Sequence, residues 1–382
     1  MCKRLAVIWI HFGPYHIARV RALLPHFDVQ AIELANHQRL YGWGRQEVDV
    51  PIITLRNGAW EDQNQYKLAW DLWKKLDELR PEILLVPGYA SGAALAAALW
   101  GRAHHARTIL MSESNYDDNP RRGATERAKS LWVKSMFDGG VVGGKRAASY
   151  LRRLGMPAHK IGRGYDIVDN GYFASQVSQV RGQYPEGIQG PYFLFVGRLA
   201  PEKNLSTLLD AHAGYVREGG GWPLVIVGDG PLRDDLRMRA RRQVENGEVV
   251  FAGHKDVHEL PRFYAHAGCF VLPSIREPWG LVVNEAMASS LPVIVSSRCG
   301  CADDLVADNE NGLTIDPESV SNLTAALLRV SQLGEEERAR MGSRSKEIIS
   351  DYSLEVWASE VKRLADMLVD GKREMTQTEL QT

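Results

Sequence analysis

The chain has 382 residues, is 45% hydrophobic and 24% charged, and carries a formal net charge of −1. Such a length fits two domains of ordinary globular composition. No run of 18 apolar residues is present to span a bilayer, and the near-zero charge leaves no overall basic footprint for a nucleic acid. Four cysteines without a paired pattern fit free thiols in a reducing compartment, so a cytoplasmic location is expected. The charge is uneven: residues 1–170 hold 24 Lys and Arg against 17 Asp and Glu, a net +7, and the remainder holds 22 against 30. A basic first half suits an anionic acceptor or peripheral contact with a membrane face.

Lys3 and Arg4 precede an apolar run and mimic a signal peptide, but the run stops at His11 and reads as a buried first strand, Leu5–Ile10. A helix over Pro14–Leu24 follows, then strands at Val29–Leu34 and Ile52–Leu55. Asn64–Leu79 repeats leucine at helical spacing and ends at Arg80-Pro81. Strand Ile83–Val86, helix Ser91–Trp100, strand Thr108–Met111, helix Gly123–Phe137, strand Gly140–Val142 and helix Lys145–Leu154 continue the alternation. It predicts a parallel sheet with helices on both faces. Residues 174–190 are polar and rich in Gly and Gln, and read as a linker between domains 1–173 and 191–350.

The alternation then resumes. Strand Tyr192–Val196, helix Leu205–Glu218, strand Leu224–Val227, helix Leu232–Gln243, strand Val249–Phe251, helix Val257–His266 and strand Phe270–Leu272 lead to a turn. Strand Val293–Val295 and a helix from Val320 to Val330 complete the set. Asp351–Leu368 carries an apolar stripe through Leu354, Trp357, Val361, Leu364 and Leu368. From Gly371 the tail is expected to be disordered.

The turn before the last strand is the most informative stretch: Glu277-Pro-Trp-Gly280-Leu281-Val282-Val-Asn-Glu285. Two carboxylates eight positions apart bracket a glycine between a strand and a helix. Gly280 lets a ligand approach the backbone, and the amides of Gly280, Leu281 and Val282 with the helix dipole favour an anion. Glu277 can reach that ligand from the side and Glu285 from one turn into the helix. An anion seat between two hydroxyl-binding carboxylates suits a sugar joined to a diphosphate and a ribose.

The stretch resembles the Glu-x7-Glu signature of glycosyltransferase family 4, retaining enzymes of the GT-B fold. Val196-Gly197-Arg198-Leu-Ala-Pro-Glu-Lys203-Asn204, Val227-Gly-Asp229-Gly230-Pro231, Leu291-Pro-Val-Ile-Val295 and Asn311-Gly312-Leu313 resemble further segments of that family. The likeness covers Tyr192 to about Asp316. It implies two Rossmann-like domains facing each other across a cleft, with the final helix, 351–370, crossing back onto the first domain. It implies a nucleotide-sugar donor, UDP- or GDP-linked, and a carbohydrate or lipid-linked acceptor. Backbone contacts to the base are expected from Asp229, Gly230, Gly253 and His254.

No spaced Asp-x-Asp is present to hold a metal; Asp117-Asp118 are adjacent, and Asp229-Gly230 is a turn. Arg198 and Lys203, one on each side of Pro201, are the expected substitutes, a bidentate fork and a point charge for the diphosphate. Metal-independent chemistry is therefore expected, with Glu277 on the transferred sugar and Glu285 on the ribose. Trp279 stands where relatives carry phenylalanine. Cys299-Gly-Cys301 cannot complete a tetrahedral zinc site alone and fits a structural turn.

In the first half, Gly13 of His11-Phe-Gly-Pro-Tyr-His16 matches the family glycine that faces the donor phosphates, without its usual second glycine. His16 is a candidate for the acceptor. Relatives place a histidine near Leu110–Tyr116; here that segment offers Ser112 and Glu113 instead. Tyr41, Trp43 and Tyr89 could stack on a sugar ring. Alternatives to transfer are a hydrolase or epimerase of the same architecture, or a catalytically silent scaffold in a glycan assembly complex. Gly13-Pro14 is not the Gly-x-Gly-x-x-Gly of a dehydrogenase.

Overall fold

The computed structural model describes residues 2–39, 50–117, 123–188 and 190–379, with the side chains of 371–379 left aside. The chain divides into two compact units, Met1–Ile167 with Ser353–Thr382, and Val168–Tyr352.

The first unit holds a parallel sheet of β1 (Arg4–Trp9), β2 (Asp28–His37), β3 (Ile52–Ala59), β4 (Ile83–Pro87), β5 (Arg107–Ser112), β6 (Gly139–Val142) and β7 (Ile161–Arg163), in the order β3-β2-β1-β4-β5-β6-β7. Leu5, Val7, Leu84 and Leu85 are wholly buried. A parallel sheet is covered on both faces, so its central strands are continuous apolar runs. Helices α1 (Pro14–Leu23), α2 (Gln65–Leu79), α3 (Gly92–Ala103), α4 (Gly123–Met136) and α5 (Lys145–Arg153) connect the strands. Asn64 caps α2, its Oδ1 accepting the Tyr66 and Lys67 amides at 3.0 and 3.1 Å. Leu68, Leu72 and Leu76, one turn apart, are buried, and each contributes about 1.5–3 kcal/mol by leaving water. Alanines on α3 let it pack closely beside α2 in the same core. Tyr89 packs against that core, while Tyr41, Trp43 and Asp118 lie outside the described residues.

The second unit is built on β8 (Phe193–Val196), β9 (Leu224–Val227), β10 (Val249–Gly253), β11 (Cys269–Leu272), β12 (Val293–Ser296) and β13 (Gly312–Ile315), all parallel in the order β10-β9-β8-β11-β12-β13. Its helices are α6 (Asn170–Gln179), α7 (Leu205–Arg217), α8 (Arg233–Arg239), α9 (Arg241–Glu245), α10 (Leu260–Tyr264), α11 (Leu281–Ala288), α12 (Ala302–Leu305), α13 (Val320–Ser331) and α14 (Glu335–Ser350).

Three expectations change. The stretch 174–190 is not linker throughout: α6 runs into it, capped by Asp169 on the Tyr172 amide at 2.8 Å. Only Phe173 and Val177 are buried on α6, too few apolar positions to reveal a helix in a polar sequence. The change of unit falls between Ile167 and Val168, ahead of the expected boundary. The final helix, α15 (Leu354–Glu379), continues through Gly371 instead of ending there. Lys, Arg, Glu and Met in that stretch are strong helix formers and outweigh one glycine.

Trp357, Val361 and Leu364 of α15 are buried in the first unit. There the Trp357 indole donates to the Arg19 carbonyl at 3.1 Å, and Lys3 meets Asp366 at 2.8 Å.

Candidate active site

In the second unit β10, β9, β8 and β11 are consecutive neighbours. Their carboxyl ends, where ligands sit in open parallel sheets, carry Gly253-His254, Gly228-Asp229-Gly230, Gly197-Arg198 and Pro273-Ser274. Most of the expected donor residues therefore share one sheet edge.

The turns after β8 and β9 interlock. The Gly197 amide donates to Val227 O at 3.0 Å, and the Leu199 amide to Asp229 O at 2.9 Å. A Cβ on Gly228, whose φ is +139°, would lie 1.9 Å from the Gly197 carbonyl oxygen, so only glycine permits that approach. Asp229 is committed to shape: Oδ1 accepts the Gly230 amide at 2.7 Å and Oδ2 pairs with Arg233 at 3.2 Å. His254 is exposed beside Asp256 at 3.6 Å.

Pro201–Lys203 forms a single tight turn, and Asn204 leaves it with φ +58°. The Asn204 amide group donates to Pro273 O at 3.2 Å and Pro317 O at 2.7 Å, and the Ile275 amide donates to Glu202 O at 2.9 Å. These bonds fasten the β8 turn to the segment leaving β11. Lys203 Nζ consequently meets Glu277 Oε2, on which Ser274 Oγ also donates at 3.4 Å. An ammonium has three donors, so the contact with Glu277 leaves two. Among the described residues both bonds to the Glu277 carboxylate fall on Oε2. Arg198 is more exposed than Lys203 and pairs with Glu202 one turn on.

Gly280 opens α11 at φ +107°, ψ +65°. That conformation is natural only for glycine; in the first turn the Val283 amide donates back to Gly280 O at 2.8 Å, while Leu281 and Val282 stand at positions whose amides have no intrahelical acceptor. The Cys299–Cys301 loop straps this segment down. The Gly300 amide donates to Glu277 O at 2.9 Å and the Cys301 amide to Trp279 O at 3.3 Å. Burial pushes the Cys301 thiol well above its usual pKa, which keeps it protonated and inert. Trp279 is turned into the core, its indole donating to Asn284 Oδ1 at 3.0 Å.

Glu285 is 1% exposed, which rules out a solvated carboxylate on the helix surface. Its Oε2 accepts the Tyr264 hydroxyl at 2.7 Å. Tyr264 escaped the sequence reading, since nothing local marks which of 13 tyrosines would reach across from α10.

The first unit gathers its candidates separately. His16 sits in the first turn of α1 with Nδ1 accepting the Gly13 amide at 3.1 Å, and its ring packs 4.8 Å from Trp9. Trp9 donates to the Tyr165 hydroxyl at 3.1 Å, and the exposed Glu113 helps raise that phenol's pKa after burial, the larger cause. Sequence reasoning also missed His11 and Glu33. His11 Nδ1 lies 2.9 Å from Glu33 Oε2, which accepts the Phe12 amide at 3.0 Å, while Thr54 donates to Oε1 at 3.0 Å. A carboxylate inside an apolar strand was the available signal.

Burial first, then Arg19 and His11, hold His16 well below the usual 6.5. Below about pH 6.5 the unfolded chain takes up a proton that the folded chain refuses, so stability falls as pH falls. Thermal unfolding should therefore drop in midpoint between pH 7.5 and 5.5. His16→Asn, which can accept the Gly13 amide without titrating, should remove part of that slope. An unchanged slope would contradict the assignment.

Comparison with known proteins adds to this geometry. Residues 179–348 match the model of the family described as Glycosyl transferases group 1. An uncharacterized glycosyltransferase of Methanocaldococcus jannaschii is 33% identical over 168 residues, 44% of this chain and 42% of that protein. A GDP-mannose-dependent phosphatidylinositol monomannoside mannosyltransferase of Mycobacterium tuberculosis is 32% identical over 199 residues, 50% of each. The aligned stretch thus spans half or less of the length of these curated relatives. Among solved structures, an Anabaena protein in complex with UDP and glucose superposes with a TM-score of 0.73 at 16% identity, covering 94% of this chain and 98% of that one. The likeness establishes the fold, which is GT-B: two parallel-sheet α/β domains.

Proposed function

We propose, from the GT-B fold and the group 1 glycosyltransferase match of residues 179–348, that this protein transfers a sugar from a nucleoside diphosphate donor to an acceptor hydroxyl. The observation that carries the reading is the contact of Lys203 with Glu277 beside the amino end of α11. A phosphate-binding cation, a hydroxyl-binding carboxylate and helix-end amides then serve one ligand. A UDP- or GDP-sugar fits them, and the complex of the Anabaena neighbour with UDP supports that donor class.

The reaction proposed is retaining. The bond from C1 of the sugar to the diphosphate oxygen breaks while the acceptor oxygen bonds to C1 from the same face, and the acceptor proton passes to the leaving diphosphate. Charge grows on the diphosphate, where Arg198, Lys203 and the α11 amides stabilise it without a metal. The described cysteines are free, in keeping with a cytoplasmic setting, and among the described residues no helix is long and apolar enough to cross a membrane.

The test is release of nucleoside diphosphate by the purified protein across UDP-, GDP- and ADP-sugars, with and without excess chelator. One donor class should be turned over and the activity should survive chelation. Failure of every donor to bind or react would overturn the transfer reading. Complete loss on chelation, restored only by Mg²⁺ or Mn²⁺, would overturn metal independence.

A further inference from the structure

The helices α2, α3 and α4 share one buried core through their inner faces, Leu68, Leu72, Ala97 and Val133 among them. Their outer faces carry apolar side chains that this core does not use. Tyr66 and Trp70, one turn apart on α2, are 89% and 60% exposed. Leu95 and Leu99, one turn apart on α3, are both 41% exposed, and Leu131 on α4 is 71% exposed. In the second unit, the exposed large apolar residues stand singly on different elements. Large apolar side chains exposed on three helices of one core point to an interaction surface.

Charge decides what it meets. Lys67, Lys74, Arg102, Arg127 and Lys134 are exposed on the same three helices, Arg102 within 3.3 Å of Asp138. The acidic side chains there have cationic or histidine neighbours: Glu78 pairs with Lys75, Asp71 with Arg56 and Glu126 with Lys129, and Asp77 lies 3.3 Å from His104. Lys74 Nζ stands 5.3 Å from the centre of the Trp70 ring. Protein interfaces are depleted in lysine. Tyrosine and tryptophan bordered by lysine and arginine is instead the pattern of a bilayer interface, where rings lie at headgroup level and cations meet anionic lipid.

We propose that the outer face of α2, α3 and α4 docks on an anionic lipid bilayer, with Tyr66, Trp70 and Leu131 entering the headgroup layer and the lysines meeting lipid phosphates. This deepens the transfer reading by placing the acceptor in or on the membrane. The docking is measured without catalysis, so its failure would leave that reading standing.

The test is co-sedimentation of the full chain with vesicles of phosphatidylcholine alone or mixed with phosphatidylglycerol, beside sedimentation velocity without lipid. Binding is expected only to the anionic vesicles and should weaken at high salt. The variant Tyr66→Ser, Trp70→Ser, Leu131→Ser should bind at least ~10-fold more weakly, because the apolar insertion is removed, with donor turnover and unfolding midpoint unchanged. Lys67→Glu with Lys74→Glu should lose binding in the same way. The proposal is overturned if wild type ignores anionic vesicles or if the triple variant binds them equally. A wild-type dimer that the triple variant dissolves would also overturn it, since the face would then belong to a second copy of the chain.

Discussion

Lys203→Ala is expected to slow sugar transfer by roughly two orders of magnitude or more, the scale of losing one preorganised charge-stabilising donor at a reacting centre. The position of Lys203 is fixed from three sides: the tight turn at Pro201–Lys203, the Asn204 clamp on the two proline carbonyls, and Glu277 itself. A cation held in that way needs little reorganisation when charge develops on the leaving diphosphate. Arg198→Ala should lower turnover to a similar extent, although Arg198 reaches from a more exposed position. Removing Lys203 also leaves the Glu277 carboxylate without its cation, so the effects of Lys203→Ala and Glu277→Gln should not add when combined. Steady-state kinetics of the single and double variants, beside their unfolding midpoints, decide the matter. Wild-type turnover in Lys203→Ala would refute the phosphate role.

The parts of the structure legible in the sequence are those where one local rule dominates. Val196-Gly197, Val227-Gly228 and Leu272-Pro273 each end an apolar run with a residue that stops a strand, so the strand ends were legible locally, while their grouping along one edge of the second sheet was implied by the family resemblance. The Glu277–Glu285 turn was legible for the same reason. What stayed hidden depends on contacts distant in sequence. Helix α14 reads as polar and contains Gly342, because a Cβ there would lie 2.0 Å from the Ser290 carbonyl oxygen. Its glycine records close packing rather than a break. Strand β13 is four residues long at a sheet edge, too short for periodicity to declare it. The burial of Glu285 under Tyr264 and the pairing of His11 with Glu33 are likewise set by neighbours on other elements.

Glu277→Gln separates transfer from mere nucleotide binding, and its expected result is the more discriminating. The carboxylate lies before the helix whose Leu281 and Val282 amides are proposed to meet the phosphates, with Oε2 held by Lys203 and Ser274. Its Oε1 is the atom proposed for a sugar hydroxyl. A hydrogen bond from a hydroxyl to a carboxylate is worth about 1.5–3 kcal/mol. If it tightens as positive charge grows on the sugar carbon, its loss falls on turnover rather than on ground-state binding. Glu277→Gln should therefore bind the free nucleoside diphosphate as wild type does and transfer sugar at least ~10-fold more slowly. Gln keeps the shape but cancels the charge that faces Lys203, so the ammonium is no longer shared and nucleotide affinity has no reason to fall. Glu285→Gln should show the opposite balance, weakening nucleotide binding through the ribose. Because Glu285 is buried against Tyr264, it should also lower the unfolding midpoint, which Glu277→Gln should not. Calorimetry with free nucleotide beside a transfer assay reads both variants. Weakened nucleotide binding in Glu277→Gln with unchanged turnover at saturating donor would reverse the roles of the two carboxylates.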